Sequence, residues 1–352
     1  MDSEKIVSYI ENSFIGELVK NENITDISFN GLSIYYMDNN KGRKESDIKI
    51  SNNDAKDFVR QIANLTEKQF SFQSPILDVT AGKYRINAVH GSISRYGEES
   101  VVNFAIRVAS SKPRITDNSG FLTKELICLI NKLINSGVSM VIGGTTGTGK
   151  TEFQKYLLNK MKPATRVIVI DNVLEISQKA INPTIDLNVW QFDDRNASLG
   201  IQTLVKNALR SNPDWLIVAE SRGGEMLEIL NSAMTGHPII TTIHALSVEN
   251  MPYRLARMVM MNDKKSNYED VYSDICNNFP IYFYLKRTID KKGQVNRYID
   301  SISYLDPDGK QHLLYSHTNG KHIYHRFPTS FLNQLDSDDD ELFNKTFGGN
   351  AK

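Results

Sequence analysis

The segment Gly143-Gly144-Thr145-Thr146-Gly147-Thr148-Gly149-Lys150-Thr151 sets glycine, lysine and hydroxyl residues at the spacing G-x-x-x-x-G-K-[ST]. Gly144, Gly147 and Gly149 let the backbone curl until its N–H groups face an anion, and a helix starting there points the positive end of its dipole at the same place. With Thr145, Thr146 and Thr148 they form a phosphate cradle, in which Lys150 neutralises β- and γ-phosphates and the Thr151 hydroxyl is a ligand for Mg2+. The cofactors so implied are ATP and Mg2+. The apolar run VSMVIG lies before this segment and the helix-forming EFQKYLLNK after it, which is the strand-loop-helix context the chemistry requires.

A phosphate loop needs a carboxylate at the end of a second strand to order the metal and its waters. Glu220 closes the apolar strand of PDWLIVAE and fills that place as a metal-ordering and catalytic acid. Hydrolysis also needs a group that orients or deprotonates water. Glu175, after the strand in VIVIDNVLEIS, is the candidate base, with Glu220 itself as its rival and a solvated or capping role as the alternative. His237 and His244 flank the strand in TGHPIITTIHA. His244 then lies at the sheet edge where open α/β folds do nucleotide chemistry, either sensing the γ-phosphate or serving as a hydrogen-bonded structural residue. Two histidines set across a strand in this way do not have zinc-ligand spacing.

These residues require an α/β scaffold. After Phe121, LTKELICLINKLINSG reads as an amphipathic helix, and the strands VSMVIG, RVIVI, WLIVA and IITTI alternate with EFQKYLLNK, SLGIQTLVKNALR and GEMLEILNSAM, followed by SVENMPYRLARMVM. That alternation predicts a parallel sheet covered by helices. FPIYFYLKR, QVNRYIDSISYL and HLLYS, with DPDG as a turn, add a C-terminal β extension. Ahead of it, from Ile24 to about Val108, DISFN, SIYYM, KYRINAVH and VVNFAIRV read as strands around one helix, DAKDFVRQIANLTEK, whose Phe58, Ile62 and Leu65 share a face. This predicts a small α+β domain over residues 1–109, a linker over 110–120, the ATPase domain over 121–335 and an acidic, flexible tail over 336–352.

The 352 residues fit two domains. Lys plus Arg and Asp plus Glu are equal at 41 each, so no global field draws the chain to nucleic acid or to an anionic membrane. The two cysteines, Cys128 and Cys276, exclude a disulfide framework, and Cys128 in LICLI reads as core. The N-terminal MDSEKIVSYIENSF lacks the pattern of a secretory signal, and the apolar runs are strand length, so the expected place is the cytoplasm, with peripheral membrane contact.

Taken together, GGTTGTGKT, ALRSNPDWLIVAESRGGE and TGHPIITTIHA resemble the phosphate loop, second acidic motif and histidine box of the secretion and pilus ATPases of bacterial type II and type IV secretion systems. ITDISFNG, GKYRINAVH and NFAIRV are similar to the amino-terminal domain of that family, and the resemblance runs from about Ile24 to Tyr315. RGGE and the hairpin IYFYLKRTIDKKGQ look closest to the branch of Tad-type pilus and type IV secretion ATPases, and two cysteines cannot make the tetracysteine zinc module of type II secretion ATPases. The resemblance implies Glu175 as general base, His244 as a link between nucleotide and neighbouring structure, and Arg85 and Arg107 as residues approaching the phosphates from the amino-terminal domain. An arginine in an antiparallel strand otherwise faces solvent. Asp171-Asn172 departs from the family's acidic pair, and Arg222 matches the family without an assigned role. The resemblance also implies a RecA-like P-loop domain and a homo-oligomeric ring of six subunits that works with a membrane platform protein and turns ATP hydrolysis into domain movement.

The reading that follows is a Mg-ATP-hydrolysing motor ATPase powering pilus assembly, secretion or conjugation. A nucleic-acid translocase would share the phosphate loop but should carry a basic, aromatic surface. A nucleotide-binding switch with little turnover rests only on Asn172.

Overall fold

A computed structural model describes residues 3–110, 113–172, 176, 181–192, 200–263, 265–336 and 340–348. The chain divides into two units, Met1–Ser111 with Thr288–Asn296, and Lys112–Arg287 with Arg297–Lys352.

In the first unit, α1 (Ser3–Glu11) and α2 (Gly16–Lys20) precede β1 (Ile24–Phe29), β2 (Ile34–Asp38) and β3 (Gly42–Glu45). After α3 (Asn52–Leu65) come β4 (Ile76–Ala81), β5 (Tyr84–Val89), the short pair β6 (Arg95–Tyr96) and β7 (Glu99–Ser100), and β8 (Asn103–Val108). The helix α3 starts where Ser51 and Asp54 satisfy each other's backbone N–H groups in a capping box. Its Phe58 and Ile62 are buried, as their spacing predicts. The strands form a sheet in the order β3-β2-β1-β8-β5-β4 with antiparallel pairing. Alternation sends Phe104, Ile106 and Val108 into the core while Ala105 and Arg107 stay exposed, so one face of the sheet is covered and the other is open.

The second unit contains α4 (Lys124–Asn135), β9 (Met140–Gly143), α5 (Lys150–Asn159), β10 (Arg166–Asp171), β11 (Asp186–Gln191), α6 (Ile201–Ala208), β12 (Trp215–Val218), α7 (Met226–Met234), β13 (Ile239–Ile243), α8 (Met251–Asn262) and α9 (Tyr268–Asn278). Then follow β14 (Ile281–Ile289), β15 (Val295–Leu305), β16 (Gln311–Thr318), β17 (Lys321–Tyr324), α10 (Thr329–Leu332) and α11 (Glu341–Phe347). Strand order is β11-β10-β12-β13-β9-β14-β15-β16-β17. The strands from β11 to β14 pair in parallel, and β15, β16 and β17 pair antiparallel. Successive residues of one strand enter different cores: Ile142, Val169 and Ile217 face α4 and α5, whereas Val141, Ile168 and Leu216 face the helices α6 to α9. Burial on both faces explains why these strands read as unbroken apolar runs. The α/β architecture expected from the sequence is the one observed, with the β extension continuing the same sheet.

The tail expected over 336–352 is corrected for Glu341–Phe347. This segment is a helix capped by Asp340, and it buries Phe343 and Phe347 against Phe327 and Tyr324. The Phe327 N–H donates to the Phe347 carbonyl at 3.0 Å. Within the expected linker, the chain from Pro113 onward is fastened to α5, with Asp117 accepting hydrogen bonds from Tyr156 at 2.7 Å and Lys160 at 2.6 Å. Replacing Phe347 with Ala should cost about 3–5 kcal/mol of unfolding free energy, as for other buried phenylalanines, when measured by urea denaturation. A cost below about 1 kcal/mol would mean that the helix adds nothing to the core.

Candidate functional site

The phosphate loop leaves β9 at the carboxyl edge of the parallel strands, between β13 and β14. Gly144, Gly147 and Gly149 have φ of 153°, 79° and 98°, in the region that favours glycine. A Cβ on Gly144 would lie 2.6 Å from the Leu285 carbonyl oxygen and 2.7 Å from Thr148 Oγ1. Thr148 Oγ1 donates to the Thr145 carbonyl at 2.9 Å and tightens the curl. Lys150, the first residue of α5, is buried and donates through Nζ to the carbonyls of Gly144 at 3.0 Å and Thr145 at 3.2 Å. Thr151 follows in the first turn, half-buried.

Glu220 sits just beyond β12 and His244 just beyond β13. Both strand ends are held by buried hydroxyls. Thr242 Oγ1 donates to the Ala219 carbonyl at 2.8 Å, the Ser221 N–H donates to the Thr242 carbonyl at 2.8 Å, and Ser221 Oγ lies 2.7 Å from Thr241 Oγ1. The result is a chain of polar contacts. Lys150 Nζ lies 3.5 Å from His244 Nδ1, His244 Nε2 lies 2.8 Å from Glu220 Oε1, and Glu220 Oε2 lies 2.6 Å from an Arg222 Nη. Burial pushes the Glu220 carboxyl up, but the Arg222 hydrogen bond and the charges of Arg222, His244 and Lys150 outweigh it and hold the group below the usual carboxylate range.

Sequence reasoning left Arg222 without a role, and the structure puts its guanidinium on Glu220. The turn that aims it is built by the rest of RGGE: Glu225 Oε1 accepts from the Gly223 N–H at 2.9 Å and from the Arg222 N–H. A Cβ on Gly224 would lie 2.2 Å from the Asn262 side chain. Arg222 also borders an open groove of about 900 Å³, lined further by Thr145, His244, Tyr253 and Arg257.

Glu175 falls outside the described residues. His237 precedes β13, at the opposite end from His244, with Nδ1 3.0 Å from Thr235 Oγ1. Arg85 and Arg107 are register partners on β5 and β8 in the first unit, half-exposed and paired with Asp78 at 3.6 Å and Asp26 at 3.4 Å. Among the described residues, no helix is long and apolar enough to cross a membrane.

The residues fit a nucleotide and its metal. The loop glycines leave room for backbone N–H groups to approach phosphates, and Thr151 and Glu220 offer the hard oxygen donors that Mg2+ prefers. Residues 94–278 match the family described as type II/IV secretion system protein. The chain is 27% identical over 341 residues to an uncharacterized protein of Bacillus anthracis, covering 91% of this chain and 75% of that one. It is 24% identical over 271 residues to the type IV secretion system protein VirB11 of Bartonella henselae, covering 66% and 75% respectively. Among solved structures, the ATPase DotB of Legionella pneumophila superposes with a TM-score of 0.63 at 19% identity, covering 84% of this chain and 80% of that one, a likeness of fold.

The lowered Glu220 carboxyl gives a pH dependence with a defined sign. A depressed folded-state value contributes stability above the unfolded-state value, near pH 4, and loses it as pH falls through the folded-state value. The thermal-stability gap between wild type and Glu220→Gln should therefore be widest near pH 7 and close below about pH 4. A gap that widens on acidification would contradict the Arg222 and His244 contacts as its cause.

Proposed function

The chain belongs to the type II/IV secretion system protein family, and from that premise we propose that it is a Mg-ATP-hydrolysing motor ATPase of a secretion or pilus machine. The observation that carries this reading is the unbroken chain Lys150–His244–Glu220–Arg222, which joins the phosphate loop to the strand-end carboxylate. Lys150 and the loop N–H groups hold the phosphates, and Thr151 and Glu220 hold the metal, which when bound draws charge off the phosphoryl oxygens. His244 lies between the phosphate-binding ammonium and Glu220, so a change at the γ-phosphate would reach Glu220 through it. Glu175 is the proposed base, following β10 in sequence as Glu220 follows β12. Arg85 and Arg107 are proposed to approach the phosphates on domain closure. The assembly proposed is a ring of six copies at the cytoplasmic face of a membrane, working on an integral platform protein.

Phosphate release from full-length protein with Mg-ATP tests the reading. Wild type should turn over, Lys150→Ala should lose about 10²- to 10³-fold in rate, Glu175→Gln should bind ATP without hydrolysing it, and DNA should leave the rate unchanged. Intact turnover in Lys150→Ala would sink the site, and intact turnover in Glu175→Gln would move the base to Glu220. Strong stimulation by DNA would point to a translocase instead. Light scattering with ATP present should give the mass of six chains, and a monomer under all conditions would remove the ring.

A further inference from the structure

The phosphate loop has a second set of charged neighbours on the side away from Glu220. Arg297, in β15, donates through Nε to the Gly147 carbonyl at 2.8 Å. A Cβ on Gly149 would lie 3.8 Å from Arg297 Cδ, and one on Gly147 would lie 3.8 Å from an Nη of Arg287, which is in β14. Two glycines of the cradle thus pack against two guanidinium side chains. Both arginines are half-buried, and Arg114 adds a third positive charge nearby. Burial first, then the charges of Arg287 and Arg114, pull Arg297 down to about 10. Cations gathered around an anion-binding loop at that electrostatic cost are stabilised when a polyanion arrives.

The motif defines phosphate contacts through the loop and the residues that follow it, and it contains neither arginine. We propose that Arg297 and Arg287 set the affinity of this site for nucleoside di- and triphosphates. Arg297 is a positioning residue that fixes the curl of the loop through Gly147, and Arg287 supplies positive potential from the β14 side. This rests on the nucleotide reading of the site and deepens it. Both side chains reach the loop from β14 and β15, on the side of β9 away from β12, and on this assignment they act on the bound phosphates in ground state and transition state alike. Uniform binding of that kind lowers KM and leaves kcat alone.

The test compares full-length wild type, Arg297→Ala, Arg297→Lys and Arg287→Ala by ADP titration calorimetry and by steady-state phosphate release. Loss of a charge-assisted hydrogen bond in Arg297→Ala should raise the ADP Kd and the ATP KM about 10- to 100-fold while kcat stays within about threefold. Arg297→Lys, which keeps the charge without the planar fork, should recover part of the affinity, and Arg287→Ala should weaken ADP binding with a shallower salt dependence than wild type. If Arg297→Ala does not fold, judged by circular dichroism, the other two variants carry the same comparison. ADP affinity within twofold of wild type in the folded variants, or a fall in kcat with KM unmoved, would overturn the assignment. Wild-type protein that bound neither ADP nor ATP would overturn the nucleotide reading itself, and the inference with it.

Discussion

Lys150 places an ammonium group where little water reaches it, and a charge in such a place has to be met by oriented dipoles or an opposite charge. The carbonyls of Gly144 and Thr145 meet part of it. They can turn inward only because the loop takes backbone angles that a side chain would block, with the Leu285 carbonyl closing the space beside Gly144. Holding Lys150 therefore fixes the loop, which packs against the Leu285 carbonyl of β14. His244 and Glu220 extend the same arrangement across β13 and β12. The site is a property of adjacent strand ends more than of any one motif.

Such an arrangement needs strand ends that do not drift. The parallel strands are clamped between two cores, and the polar residues at their ends are paired with one another: Ser221 with Thr241, and Thr242 with the Ala219 carbonyl. Gln154 of α5 donates to the Val218 carbonyl at 3.3 Å, tying the helix after the phosphate loop to the strand before Glu220. Buried hydroxyls satisfied in this way fix position at little cost, because each replaces a contact with water by one of similar strength. Supporting contacts of this kind hold a site's own side chains within a fraction of an ångström.

The central strands were legible in the sequence because burial on both faces removes polar residues from them. RVIVI and WLIVA can hardly be read otherwise, IITTI keeps two threonines but has only β-branched side chains, and the phosphate loop announces itself by spacing. The edges were harder. DLNVWQ forms β11 at the border of the sheet, half-exposed and mixed in polarity, so no run marks it. The helix α9 buries only Val271, Ile275 and Cys276 among acids and asparagines. In DELFNKTF the run of acids pointed to a solvated tail, yet Phe343 and Phe347 stand one helical turn apart and both are buried. That spacing was the available signal, and charge outweighed it. The role of Arg297 was out of reach for a different reason. Arg297 meets a carbonyl 150 positions earlier in the chain, and no local pattern encodes a contact of that range.

The balanced charge of the chain also hides what happens locally. Forty-one positive and forty-one negative residues predict no net field, and for the molecule as a whole that holds. Around the phosphate loop the balance is different. Lys150, Arg222, Arg287 and Arg297 are found there with Glu220 as the carboxylate bound to Arg222, while the nearby Glu152 is already engaged by Lys155 at 2.7 Å. Positive charge gathered around one loop attracts a polyanion more strongly than the same charge spread over a surface, because the individual attractions add at short range. Selectivity for a multiply charged phosphate then comes from where the charges sit, and a neutral sequence can carry it.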